Sequence, residues 1–174
     1  GLFEFVPGLM RINPQVKFFS TGGTHAQIKD LLGPNHGENL LEVAEYTRFP
    51  EMDGGLVKTL HPKIHAGILG ERNNPKHQRY LREELCGGVY MDMVVVNLYP
   101  FQDVIRSTDI DFEGARGNID IGGPTMIRAA AKNFPSCAAI CDPKDYPGVL
   151  DQISKNNGST SFDQRLTFAK KCLN

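Results

Sequence analysis

The chain has 174 residues and a formal net charge of −1, with 40% hydrophobic and 22% charged residues. That balance fits one globular domain that buries its own core, and it excludes a net basic nucleic-acid binder. The longest apolar run is too short to span a bilayer, residues 1–10 lack the charged flank of a secretory signal, and the four cysteines form no C-x-x-C pair. A cytoplasmic protein with buried, reduced thiols, and with no membrane or nucleic-acid partner, is therefore expected.

Residues 1–10 read as a helix. Residues 17–20 (KFFS) read as a short buried strand, 21–23 as a tight turn, and 24–32 as a helix stopped by Gly33-Pro34. A strand is expected over 40–43 and a surface loop over 46–55, where turn formers cluster. A helix is expected over 61–69 and a polar helix over 75–85. MDMVVVN at 91–97 is the clearest strand, β-branched and apolar on both faces like a central parallel strand. Loop 118–123, helix 124–133, strand 136–141 and helices 144–156 and 161–173 follow. Strands alternating with helices predict an α/β fold in a single domain over 1–174, a doubly wound, mostly parallel sheet with helices on both faces. Ligands of such sheets gather at the carboxyl ends of the strands.

Four stretches carry chemistry. Ser20-Thr21-Gly22-Gly23-Thr24 follows a strand and opens a helix. Glycines admit a ligand close to the backbone, and helix-start amides with three hydroxyls suit a phosphate, although the same residues also make a plain helix cap. VKTLHPKIHAG at 57–67 places Lys58, Thr59 and Lys63 in or beside a loop. Its His61 and His65 are four apart but lack the glutamate of a metalloprotease helix, so no metal site is expected. Asn97 and Tyr99 end the clearest strand and offer an amide and a phenol. Asn118-Ile119-Asp120-Ile121-Gly122-Gly123 sets a carboxylate before a glycine-rich helix start. The alanines 129–131 that follow allow close packing, or a subunit contact, and Lys132 closes that helix.

Together these stretches resemble the inosine monophosphate cyclohydrolase domain of the bifunctional purine-synthesis enzyme that also carries a transformylase domain. STGGT, EYTRFPEM, VKTLHPKIHAGIL, DMVVVNLYPF, NIDIGGPTMIRAAAKN and CDPKDY look like that family's blocks, in its order. The resemblance implies a methylglyoxal synthase-like fold and a homodimer. It also implies dehydrative ring closure of the formylated aminoimidazole carboxamide ribotide to inosine monophosphate, by a hydrolase-class enzyme without metal or organic cofactor. By position it assigns the chemistry to Lys58, Tyr99, Asp120 and Lys132. It assigns nucleotide and phosphate contacts to Ser20, Thr21, Gly23, Thr24 and Thr59, and the base-lining positions to Asn97, Ile121, Gly122 and Gly123.

The chain also departs from the family. Leu56 stands where the family usually has a phosphate-binding arginine, and Gly114 and Gly117 fall where a continuous helix is more usual. The family's first strand and its Ser-Asp-Lys-Thr loop are expected ahead of Gly1, and a transformylase domain is expected as an attached or separate partner. Two rival readings share a similar fold. One is a methylglyoxal synthase-like lyase, which lacks the KTLHP and NIDIGG blocks. The other is a non-catalytic sensor of phosphorylated ligands, like the regulatory domain of carbamoyl phosphate synthetase. Retention of Lys58, Tyr99, Asp120 and Lys132 speaks against the second.

Overall fold

Apolar, β-branched residues at 93–95 and small apolar residues at 138–140 find each other across a parallel ladder. The computed structural model, which describes residues 1–34, 37–98 and 111–173, pairs β3 (Met93–Val95) with β4 (Ala138–Ile140), setting Met93 opposite Ala138 and Val95 opposite Ile140. A second parallel pair joins β1 (Phe18–Ser20) to β2 (Leu40–Glu42). Parallel neighbours need crossover connections, and helices supply them. Between β1 and β2 runs α2, and between β3 and β4 run α6 and α7; the helices among the described residues are α1 (Leu2–Ile12), α2 (Gly22–Leu32), α3 (Val43–Thr47), α4 (Pro62–Leu69), α5 (Pro75–Arg79), α6 (Phe112–Gly117), α7 (Gly122–Lys132), α8 (Tyr146–Lys155) and α9 (Phe162–Leu173).

Alternation along β4 divides the core. Ala139 packs with Ile64 and Ile68 of α4 and Ile127 of α7. Ala138 and Ile140 pack with Phe5 of α1 and with Tyr146 and Val149 of α8. The parallel strands are thus covered by helices on both faces, as the alternating pattern predicts. α9 serves both sides, with Phe168 in one cluster and Ala169 in the other. The alanines 129–131 are buried in this core, so the small-residue run lets α7 pack closely within the chain. Among the described residues, no helix is long and apolar enough to cross a membrane.

The structure adds local features. α3 covers 43–47, where a strand end and a loop were expected. Helix α5 runs on into a π turn, Tyr80–Glu84, in which the Leu85 N–H donates to the Tyr80 carbonyl at 3.0 Å. α6 forms despite Gly114 and Gly117, because the Asp111 carboxylate accepts from the Gly114 N–H at 2.7 Å. α7 begins at Gly122, two residues ahead of Pro124.

An exposed ion pair network clips α9 to the turn after β4. Lys171 Nζ lies 2.8 Å from Asp142 Oδ2 and 2.8 Å from Asp145 Oδ2. The Lys171 hydrogen bond, and then the Lys144 N–H, hold the Asp142 carboxyl below the usual carboxylate range. A depressed carboxyl contributes stability above its unfolded value and loses it as pH falls through its folded value. A melting series from about pH 5 to about pH 3 should therefore show a steeper fall for the native protein than for Lys171→Met. Parallel curves would remove the clip from the account of acid stability.

Candidate functional site

Two helix starts and one loop converge at the carboxyl ends of the strands. The chain reverses after Ser20, and α2 opens at Gly22 with φ +51°, a left-handed conformation that glycine adopts without strain. The first amides of a helix have no partner within it, and Thr21 at the cap makes no side-chain bond to them. The second helix start is that of α7. There the Asp120 carboxylate accepts from the Gly123 N–H at 2.9 Å through Oδ1, and a carboxylate is favoured at that positive end. A Cβ on Gly123 would collide with Asp120 Oδ2 and stand 2.9 Å from Val96 Cγ1, so a larger residue there would push the carboxylate aside.

The loop between a single 3-10 turn, Asp53–Gly55, and α4 joins the two. Lys58 Nζ stands beside the first turn of α2, 3.3 Å from where a Cβ on Gly22 would lie. Thr59 Oγ1 stands beside the first turn of α7, 2.6 Å from the corresponding point on Gly122. Both side chains are half-buried. Asn97 follows β3, and its Oδ1 accepts from the Tyr146 hydroxyl at 3.0 Å, which turns its amide nitrogen away from Tyr146. Ser20, Thr21, Thr24, Ile121 and Gly122 line the same cleft as Lys58, Thr59, Asn97 and Asp120. Its volume is about 2010 Å³ because it continues between the two strand pairs, along β1 on one side and β3 on the other.

Not every expected residue joins them. Gly23, one residue into α2, is exposed and does not line the cleft. Lys132 is exposed at the far end of α7, about 15 Å along the axis from Gly122 at 1.5 Å per residue, and it does not line the cleft either. Tyr99 lies outside the described residues.

Other side chains of the KTLHP stretch are structural. His61 caps α4, its Nδ1 accepting from the Lys63 N–H at 3.0 Å. Lys63 is buried, donates to the Cys86 carbonyl at 3.2 Å and sits 4.5 Å over the Tyr46 ring. Burial holds His65 below its ordinary pKa, with a bond to the Thr59 backbone acting the other way. Among the described residues no cluster of three or more metal-ligating side chains occurs. Of the thiols expected to be buried, Cys137 is, and burial pushes it up to about 12, whereas Cys86 is exposed. One neighbour escaped the sequence reading: Glu51, whose Oε2 lies 3.3 Å from Lys58 Nζ.

Residues 1–125 match the family model described as MGS-like domain. The chain is 44% identical over 173 residues to the bifunctional purine biosynthesis protein PurH of Neisseria meningitidis serogroup A. It is 47% identical over 171 residues to the protein of the same name from Chlorobaculum parvum. These alignments cover 99% and 98% of the chain, which spans 31% of the length of each relative. Among solved structures, that of ForH is similar, with 30% identity and a TM-score of 0.80 over 99% of this chain and 85% of that one. With a family model matched over most of its length and a parallel, helix-covered core to go with it, the chain belongs to the MGS-like domain family.

Proposed function

We propose that the chain is a single inosine monophosphate cyclohydrolase domain of a purine-synthesis enzyme, closing the six-membered ring of the formylated aminoimidazole carboxamide ribotide with loss of water. The observation that carries this reading is the meeting of two amide-rich helix starts, a lysine and a carboxylate at one cleft. The α2 start with Ser20, Thr21 and Thr24 suits the phosphate. Asn97, Ile121 and Gly122 offer the base an amide and an apolar rim. The carboxamide nitrogen is a poor nucleophile, so holding it against the formyl carbon supplies much of the acceleration. Lys58 stabilises charge growing on the formyl oxygen, Asp120 takes one carboxamide proton as the new C–N bond forms, and the former formyl oxygen leaves as water with two protons, that one and the one the formamide nitrogen gives up as its C=N bond forms. Tyr99 and Lys132 remain proposed as polarisers or a proton relay on the family pattern alone, and a homodimer and a transformylase partner are proposed on the same ground.

The test is incubation of the full-length protein with the formylated ribotide, followed by the absorbance change of inosine monophosphate formation. Turnover is expected. Absence of turnover by folded protein that still binds inosine monophosphate would favour the ligand-sensing alternative.

A further inference from the structure

A lysine that meets a developing charge must hold its ammonium still, yet its four-carbon stem rotates freely unless something fixes it. Lys58 lies in a loop, where no regular element fixes it. The local field does not hold it either. Its Nζ stands beside the first turn of α2, 3.3 Å from where a Cβ on Gly22 would lie, and a helix presents its positive end at its start. What holds the ammonium is Glu51, with Oε2 3.3 Å from Nζ and the two side chains 29% and 28% exposed. Local architecture sets this pairing. The Met52 N–H donates to the Leu56 carbonyl at 3.1 Å, closing a tight loop that brings residues 51 and 58 back together. A Cβ on Gly55, which sits at φ +73°, would come within 2.8 Å of Lys58 Cε and 3.0 Å of Nζ, so the bare glycine leaves room for the end of the stem. Val57 precedes Lys58 at φ +55°, a conformation that a β-branched residue adopts only where its surroundings impose it.

We infer that Glu51 is the positioning residue of Lys58: its carboxylate fixes the ammonium where it meets the charge growing on the formyl oxygen. The inference rests on the cyclohydrolase reading given above, with Lys58 at the reacting end of the ligand. Lys58 lines the cleft and Glu51 does not, so Glu51 reaches the ligand only through Lys58. Its contribution therefore belongs to kcat more than to KM, and it cannot exceed that of Lys58 itself. Magnitudes decide its sign. The pair is partly exposed, so water screens what the carboxylate subtracts from the ammonium's charge. A displacement of about 1 Å at a reacting group, in contrast, costs up to about 10²-fold in rate.

Steady-state turnover of the formylated ribotide by the full-length native protein, Glu51→Gln, Lys58→Ala and the double variant tests it. Glutamine keeps the size of the side chain and removes its charge. Glu51→Gln should lose roughly five- to fiftyfold in kcat, less than Lys58→Ala, with KM changed by less than about twofold. In the Lys58→Ala background the same change should cost nothing further, an outcome that a merely structural role for Glu51 would not give. A second readout needs no turnover. In protein whose lysines are isotope-labelled at Cε, the two ε protons of a fixed side chain differ in chemical shift and those of a rotating one average. The Lys58 pair, identified by its loss in Lys58→Ala, should be distinct in the native protein and merge in Glu51→Gln. A kcat at or above the native value in Glu51→Gln with native circular dichroism, or an equal loss in both backgrounds, overturns the inference. So does a Lys58 pair that is already merged in the native protein or that stays distinct in the variant. If the native protein does not turn over the ribotide, the cyclohydrolase reading falls by itself, and the ε-proton signals alone decide whether Glu51 holds Lys58.

Discussion

Asp120→Asn should lower kcat for the formylated ribotide by about 10²- to 10⁴-fold, the usual worth of a positioned general base, with a smaller change in KM. The reasoning starts from geometry. Asp120 Oδ1 is tied to the Gly123 N–H at 2.9 Å, so the carboxylate is held at the α7 start. Asparagine can accept the same hydrogen bond through its side-chain carbonyl, so the turn and the fold should survive. It cannot take up the carboxamide proton. Lys58→Ala should cost about 10²- to 10³-fold, as loss of one group that stabilises a developing oxyanion does elsewhere. Because Lys58 also stands at the α2 start, its loss should raise KM as well. The two variants should therefore differ in how their losses divide between kcat and KM. Lys132→Ala is the informative contrast, since that residue lies at the opposite end of α7 and outside the cleft. Native turnover in both Asp120→Asn and Lys58→Ala would end the mechanistic reading, whatever Lys132→Ala does.

Much of this arrangement is legible in the residues, for physical reasons. MDMVVVN and SCAAIC are apolar without alternation, which suits strands covered on both faces, and β3 and β4 are such strands. Glycine pairs before a helical period mark helix starts, and both the α2 and α7 starts sit at the cleft. What stays hidden depends on how the chain folds back. Val43, Tyr46 and Thr47 are residues with strand preferences, yet α3 forms because Val43 and Tyr46 reach the core through it. A buried lysine is rare enough that Lys63 reads as a surface or ligand-facing charge. Only the Tyr46 ring beneath it and the Cys86 carbonyl beside it explain the burial. Glu51 and Lys58 are seven apart in no regular element, and nothing but the closure at Met52 and Leu56 makes them neighbours. Lys132 fails to join Lys58 for the converse reason: an unbroken helix keeps its two ends apart.

Phe5→Ala should destabilise the protein by about 3–5 kcal/mol, the range for removing a buried phenyl ring. That is a large share of the roughly 5–15 kcal/mol that holds an ordinary domain folded. Phe5 is 2% exposed, and its ring stacks on Tyr146 with centroids 4.4 Å apart and planes at 18°. The cavity cannot close easily. Tyr146 is held in place by Val149 and Ile140 behind it and by its hydroxyl bond to Asn97. The loss should therefore reach the cleft through Tyr146, loosening the Asn97 amide that lines it. Phe3 stands two residues away on α1 and is 79% exposed, so Phe3→Ala should stay within about 0.5 kcal/mol. Tyr146→Phe separates packing from anchoring, because it keeps the stack and removes one hydrogen bond worth about 1 kcal/mol. Urea unfolding midpoints of the three variants should rank Phe5→Ala lowest and Phe3→Ala nearest to native, with Tyr146→Phe between them. If Phe5→Ala were as mild as Phe3→Ala, α1 would not be part of the core that positions Asn97.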